Sequence, residues 1–400
     1  ARLLAPYRAF LAQPDVPAMI ACAWLSRMPV AMNGLAMLLF MRAELGNFAA
    51  AGTIVGAFFV AMAVAAPIEG RLIDRFGPKW PLRVAGTLHP LFLLALFWQG
   101  TQHASQGLLT AIAVGCGLFA PPVTILTRTT WRHRFEDEAN RKMAYSIDSV
   151  MIELNFTAGP LVVAALVAAL DAAQGFAVVI GVSITALLIF LASPILKYWK
   201  TGPAADRHLL GPLTNPRLVL LFVMTFGLTL CFGFLEVGYP AYATLIGSVS
   251  LGGVLLALNA LGSGTGGFLY GAIHTSMPLE RQFALALGIM SLPLFFHGPV
   301  DSAIGFCVLA FVSGLMIAPA LTAQTLLITR LAPPQYATEA FTWSSTFIVT
   351  GIGIGMAAGG VLAERVHPKA PFLCGGLIVL GMALLASWWL PAGRDHPSRH

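Results

Sequence analysis

From residue 16 onward the chain is a succession of long apolar runs separated by short polar stretches. A hydrocarbon layer about 30 Å thick takes about 20 helical residues to cross. Twelve runs are of about that length: 16–41, 48–68, 82–99, 107–127, 143–168, 174–196, 217–239, 250–272, 282–299, 303–328, 340–362 and 371–391. A membrane barrel would show ten-residue alternation instead, so the runs predict helices. Two polar interruptions are longer than the rest, Trp131 to Lys142 and Lys197 to Arg217. The second falls between the sixth and seventh runs and divides them six plus six. The expected fold is all-α and integral to a membrane, with twelve transmembrane helices in two six-helix bundles. Residues 1–197 form the first bundle, 198–216 a linker and 217–400 the second bundle.

An internal repeat supports the division. Gly70-Arg71-Leu72 is echoed by Gly267-Phe268-Leu269, and Gly117-Leu118 with Pro122 by Gly314-Leu315 with Pro319, always at an offset of 197 residues. Two similar bundles with a site where they meet, near mid-membrane, are the arrangement such repeats produce in carriers.

Composition agrees. Apolar residues make up 58% of the chain and charged ones 10%, against roughly 25% charged in soluble domains; the excess apolar surface has to face lipid. Of the 23 lysines and arginines, 19 fall on the side of the first residues. Arg42, Arg365 and Lys369 fall on the other, and Arg27 lies within the first run. By the positive-inside rule the basic side is cytoplasmic, with both termini there. The net charge of +6 is thus a topology signal and not a nucleic-acid footprint. Trp80, Trp98, Trp131, Trp199, Trp388 and Trp389 fall at run ends, where the membrane interface favours them. The cysteines (Cys22, Cys116, Cys231, Cys307, Cys374) all lie inside apolar runs without a CxxC spacing, so they are expected to pack as small core residues. Residues 1–13 do not have the form of a cleaved signal peptide, and the missing Met suggests a trimmed beginning.

Between the second and third runs the chain reads Gly70-Arg-Leu-Ile-Asp-Arg-Phe-Gly-Pro-Lys-Trp-Pro-Leu82. This resembles the signature loop of the major facilitator superfamily, G-x-L-a-D-R-x-G-r-k-x-x-l. Gly70, Leu72, Asp74, Arg75, Gly77, Lys79 and Leu82 match; Pro78 stands where a basic residue is usual, and Arg83 compensates. Gly70 would let one helix end approach another, Gly77 would permit a turn with positive φ, and Asp74 could meet a neighbouring helix N-terminus. The resemblance implies a conformational latch of Gly70, Asp74, Arg75, Gly77 and Lys79 holding the outward-open state. The corresponding stretch Gly267 to His274 keeps the glycine and lacks the Asp-Arg pair, so the latch is expected to be asymmetric. In the fifth run Gly159-Pro160 match part of a second signature, found in drug/proton antiporters of this family, and suit helix packing. Asn155, Val163 and Ala164 depart from it, and the fourth run lacks the intramembrane arginine many such antiporters carry. Among the family the chain resembles the efflux-type permeases of bacteria.

Ionisable groups in mid-membrane cost about 2.5–3.5 kcal/mol even on the mild insertion scale, so they are candidates for function. Arg27, 11 residues into the first run, and Glu153, 10 into the fifth, sit about 17 and 15 Å deep. They are expected to interact, with Glu153 exchanging a proton and thereby freeing Arg27; the alternative is a static pair that fixes packing. Asp148, shallower, is expected to be wetted or paired with the basic loop after the fourth run. Glu236, beside Gly238 and Pro240, is either a gate or an interface charge. Asn33, Asn155 and Asn259 suit helix–helix hydrogen bonds better than ligand contacts, with Asn33 and Asn259 kept as substrate candidates. His89 and His297 carry no assignment.

The expected function is alternating-access transport of a small solute, with protons as the driving ion and export of an amphipathic or hydrophobic compound as the direction. The alternatives are an organic-anion transporter organised around Arg27 and a facilitative uniporter. No HExxH, GxSxG or GxxxxGK[ST] motif appears, so no enzyme activity, ATP drive, metal or cofactor is expected. The expected setting is the inner cell membrane, with the chain acting as a monomer.

Overall fold

The computed structural model describes residues 5–198, 211–272, 275–333 and 336–389; the side chains of residues 5–7, 74, 132, 138, 139, 142, 146, 149, 153, 272, 337, 338 and 389 also lie outside the description. Fifteen α-helices build the described chain. Twelve stretches are long and apolar enough to cross a membrane, the number the apolar runs predict. A short helix that the sequence reading missed, α1 (Ala5–Leu11), precedes them. The first bundle holds α2 (Val16–Leu45), α3 (Phe48–Phe76), α4 (Lys79–Thr101), α5 (Gln106–Leu118), α6 (Val123–Arg134), α7 (Glu138–Ala169) and α8 (Ala172–Ala192). The second holds α9 (Pro216–Leu245), α10 (Val249–Ala272), α11 (Leu279–Phe296), α12 (Ala303–Gly314), α13 (Ile317–Leu331), α14 (Ala337–Arg365) and α15 (Ala370–Trp389). Most of the expected linker, 199–210, lies outside the described residues.

The helices start and stop on local chemistry. Gly46 ends α2 at φ +77, a left-handed cap that glycine adopts without a Cβ clash. Asn47 then caps α3 by accepting from the Ala50 N–H at 2.7 Å. Gly77 ends α3 at φ +75, as the signature loop predicts. Two spans are broken in mid-membrane. Pro121 and Pro122 stop α5 from running into α6, because proline lacks the N–H and restrains its predecessor. Leu315 and Met316 separate α12 from α13. These are the repeated positions seen in the sequence: Gly117 lies where a Cβ would strike the Phe58 carbonyl of α3, and Gly314 where one would strike the Asn259 carbonyl of α10. The same glycine makes the same close crossing in each half.

The halves meet along α3 with α14 and along α7 with α10. In α3, Gly52 and Gly56 form a GxxxG pair. Without a Cβ they let α14 come close, Gly52 against Met356 and Gly360, Gly56 against Gly353 and Ala357. Close approach of small residues is how helices gain contact where lipid offers no hydrophobic drive. Gly253 of α10 likewise lies against the Pro160 carbonyl of α7. All these contacts fall in the halves of the four helices away from the basic face. Near the basic face, none of the described residues lies within 4 Å of where a Cβ on Gly70 would sit. Gly70 was expected to receive a neighbouring helix; the close bundle contacts named above all lie on the far side.

A second apolar cluster sits at the basic face, where α1 folds back. Phe10, Phe135 and Trp131 stack there. Trp131 is 1% exposed, which corrects its expected interfacial place: α1 covers it. Trp80, Trp98 and Trp388 are exposed, as interfacial residues should be.

Candidate functional site

In the first bundle α2 crosses α7 and brings together the ionisable groups of mid-membrane. Arg27 Nη1 donates to Asp148 Oδ1 at 2.5 Å. The other carboxylate oxygen accepts from Arg128 Nε of α6 at 3.3 Å. Arg27 and Asp148 are each 3% exposed, while the Arg128 side chain is half exposed. Asp148 is therefore buried and not shallow, and it pairs with Arg27. The reason is where α7 begins. It starts at Glu138 and not at 143, which places Asp148 ten residues in, about 15 Å, level with Arg27. The second partner of Asp148, Arg128, lies in α6 within the fourth span and not in the loop Trp131 to Lys142 that was expected to pair with it. The Glu153 side chain lies outside the described residues.

The pair leaves unused capacity. Arg27 Nε and Nη2 are buried without a hydrogen-bond partner among the described residues. One turn back, Trp24 donates nothing through Nε1, and Asn155 gives its amide to the Trp24 carbonyl at 3.1 Å while its own Oδ1 stays unpaired. Buried polar groups in proteins are almost always satisfied. Four open positions on two touching helices mark a place that takes a polar ligand, water or proton.

On another face of α2, Ser26, Pro29 and Asn33 line a cavity of about 70 Å³ with Phe58, Phe59 and Met62 of α3, His89 of α4, Pro121 of the α5–α6 break and Ser183 of α8. Ser183 donates to Asn33 Oδ1 at 3.2 Å. His89 Nδ1 meets the Cys116 carbonyl at 2.8 Å, where only the Nδ1–H tautomer can donate. The volume admits a few waters but not a solute, since ligand pockets run to about 300 Å³ and more. Asn33 is thus placed beside hydration at a helix break. His89, given no role by the sequence, gains one here through the carbonyls that the break exposes.

The second bundle is more self-contained. Asn259 donates to the Ala310 carbonyl at 3.0 Å and to Ser313 at 3.3 Å, and Ser313 meets Tyr239 at 3.1 Å. Asn259 ties α10 to α12 and has no free donor. Gln324 of α13 donates to Ser344 of α14 at 2.7 Å. Glu280 and Arg330 pair at 3.6 Å near the basic face. Glu236 is half-buried with no hydrogen-bond or ion-pair partner among the described residues, and α9 runs unbroken past it through Pro240 to Leu245, so the expected local loosening is not present. Glu69 of α3, just beyond the predicted second run, is likewise unpartnered; the sequence reading passed it over because it sits one residue outside the apolar window. Gly159 lies against Ala31 of α2. In the signature loop, Arg75 lies over the Phe76 ring at 5.2 Å and Lys79 is exposed beside Arg83 and Lys197. The Asp74 side chain lies outside the described residues.

The comparisons with known proteins agree with this architecture. The sequence profile of the Major Facilitator Superfamily matches residues 19–302 and 221–400. The crystal structure of the nucleoside transporter NupG superposes with a TM-score of 0.71 over 93% of this chain and 98% of that one, at 12% identity, a likeness of fold. No curated protein is significantly similar in sequence.

Proposed function

The chain belongs to the Major Facilitator Superfamily, and within it we propose a proton-coupled exporter of a small amphipathic or hydrophobic solute, with Asp148 as the proton site. The chain is a multi-pass membrane carrier of the alternating-access type, not an enzyme. The proposal is carried by one observation, the buried Arg27–Asp148 pair with two further Arg27 nitrogens unsatisfied. A proton on Asp148 removes the charge that holds Arg27. The guanidinium then has all three nitrogens free instead of two and turns to a polar part of the solute or to water. Loss of the proton restores the pair. Such an exchange couples occupancy of the cleft to protonation because a buried cation cannot remain unpaired at low cost. Glu153, five residues on along α7, is a second proton carrier on this reading. Gly70, Asp74, Arg75, Gly77 and Lys79 close the basic side on this reading.

The positive-inside count supports a cytoplasmic basic face, with both termini inside and the inner membrane as the setting. The close far-side contacts of α3 with α14 and of α7 with α10 then suit a state open to the cytoplasm, the state that loads an exported solute. The few hydrogen-bonding groups left free favour an amphipathic compound over a sugar. A second reading, an organic-anion carrier, is favoured by the free Arg27 nitrogens.

The test is transport by proteoliposomes across a solute panel, with and without an imposed pH gradient. The wild type should concentrate a solute only with the gradient. Asp148→Asn, and the charge-neutral double variant R27Q/D148N that keeps the fold, should exchange solute without concentrating it. Gradient-driven accumulation by the double variant removes Asp148 from coupling. Equilibration without accumulation by the wild type makes the carrier a uniporter, and accumulation of anions alone selects the second reading.

A further inference from the structure

On the face opposite the basic one, α14 of the second bundle ends beside the start of α3 of the first. Glu364 Oε2 accepts from the Phe48 backbone N–H at 2.9 Å. The first N–H groups of a helix have no partner within it. In α3 Asn47 satisfies one of them from its own chain end, but the first turn of α3 contains no acidic residue. The carboxylate that complements a helix N-terminus comes instead from the other bundle. It sits in the tightest stretch of the interface, where Gly360 lies against the Phe48 carbonyl and Gly52 against Met356.

We propose that Glu364 is the latch of the far face, a cap donated across the bundles that holds this side shut while the basic side is open. α3 and α14 run antiparallel, so each has its C-terminal end beside the other's N-terminus. Each also carries an acidic residue near that C-terminal end, Asp74 two residues before the end of α3 and Glu364 one before the end of α14. When the bundles rock, one end closes as the other parts. In this structure the far end is capped, and at the basic end none of the described residues reaches the Cβ position of Gly70. Closing the basic side therefore requires breaking the Glu364 cap. This inference rests on the alternating-access reading and is independent of the solute and of the proton site.

Spin labels at Gln102 of the first bundle and Val366 of the second, both exposed at the far face, report its opening as a short and a long distance in lipid nanodiscs. Glu364→Gln should raise the ratio of long to short three- to tenfold, tenfold being about 1.4 kcal/mol, and Glu364→Lys should raise it further. Ala49→Glu places a carboxylate in the first turn of α3 itself. Added to Glu364→Gln, it should leave the ratio raised. A return to the wild-type ratio would mean that Glu364 only prevents fraying of α3, and would overturn the latch, as would a Glu364→Gln ratio equal to that of the wild type. If the wild type itself shows one distance under every pH and solute condition, it is alternating access that fails, not the latch alone.

Discussion

Removing the carboxylate of Asp148 should be among the most damaging single changes in the first bundle, and neutralising Arg128 among the mildest. Arg27 is 3% exposed and its Nη1 lies 2.5 Å from Asp148. Asp148→Asn leaves that guanidinium charged, buried and unpaired, a change that costs about 3–5 kcal/mol in proteins. The same carboxylate also holds Arg128, but that side chain is 53% exposed at 3.3 Å, and exposed pairs contribute about 0–1 kcal/mol. For a unit of about 200 residues, 1 kcal/mol shifts Tm by about 2–4 °C. Asp148→Asn should therefore lower Tm by about 6–20 °C, and Arg128→Ala by less than about 4 °C. Replacing both members with apolar residues of similar size, R27M/D148L, should restore most of the loss, because the desolvation penalty disappears with the charges. The assay is thermal unfolding in detergent, followed by intrinsic fluorescence. If Asp148→Asn and Arg128→Ala melt within a couple of degrees of each other, or if the double replacement is as unstable as the single, the pair is not the buried, desolvated contact described above.

Other outcomes follow from single contacts. Gly56→Val puts a branched side chain against the Gly353 carbonyl and Ala357 of α14; the folded protein should still purify, with transport cut at least tenfold and the far face held open to thiol reagents at introduced cysteines. Asn259→Ala removes two hydrogen bonds within the second bundle, each about 0.6 kcal/mol in membrane proteins. Tm should fall by a few degrees and the solute preference should not change, which a competition assay checks. On the far face Lys369 Nζ lies 2.5 Å from Asp301 and holds that exposed carboxyl below its ordinary value by hydrogen bond and charge. A depressed carboxylate stabilises above its unfolded pKa and loses that contribution as pH falls through the folded one. The small Tm difference between wild type and Asp301→Asn should thus be present at neutral pH and vanish on acidification below about 4; a difference that grows towards acid contradicts the contact.

The spans were legible in the sequence because lipid imposes a length and a polarity that few other environments do, and runs such as 174–196 read almost as the helix Ala172–Ala192. The repeat at Gly117 and Gly314 was legible too, but not its meaning. That each glycine seats a carbonyl of a neighbouring helix beside a mid-membrane break requires the crossing geometry. The Arg27–Asp148 pair was missed for a local reason: the polar start of α7, Glu138 to Lys142, reads as loop, and a five-residue error in a helix start is about 7.5 Å of depth. Gly70 depended on a state of the carrier, which a sequence shared by all states does not encode. Glu364 was invisible, since an acidic residue at a span end is an ordinary interfacial charge until the helix it caps is seen beside it.

The claim beneath all of this is that the two faces open in turn. Single-molecule energy transfer can follow two dye pairs in nanodiscs, Arg71 with Met277 across the basic face and Gln102 with Val366 across the other, as pH and solute are varied. The account predicts a long basic-face distance with a short far-face distance at rest, and both exchanging together when the carrier turns over. Distances that lengthen on both faces at once, or that change on one face while the other stays fixed, would contradict it.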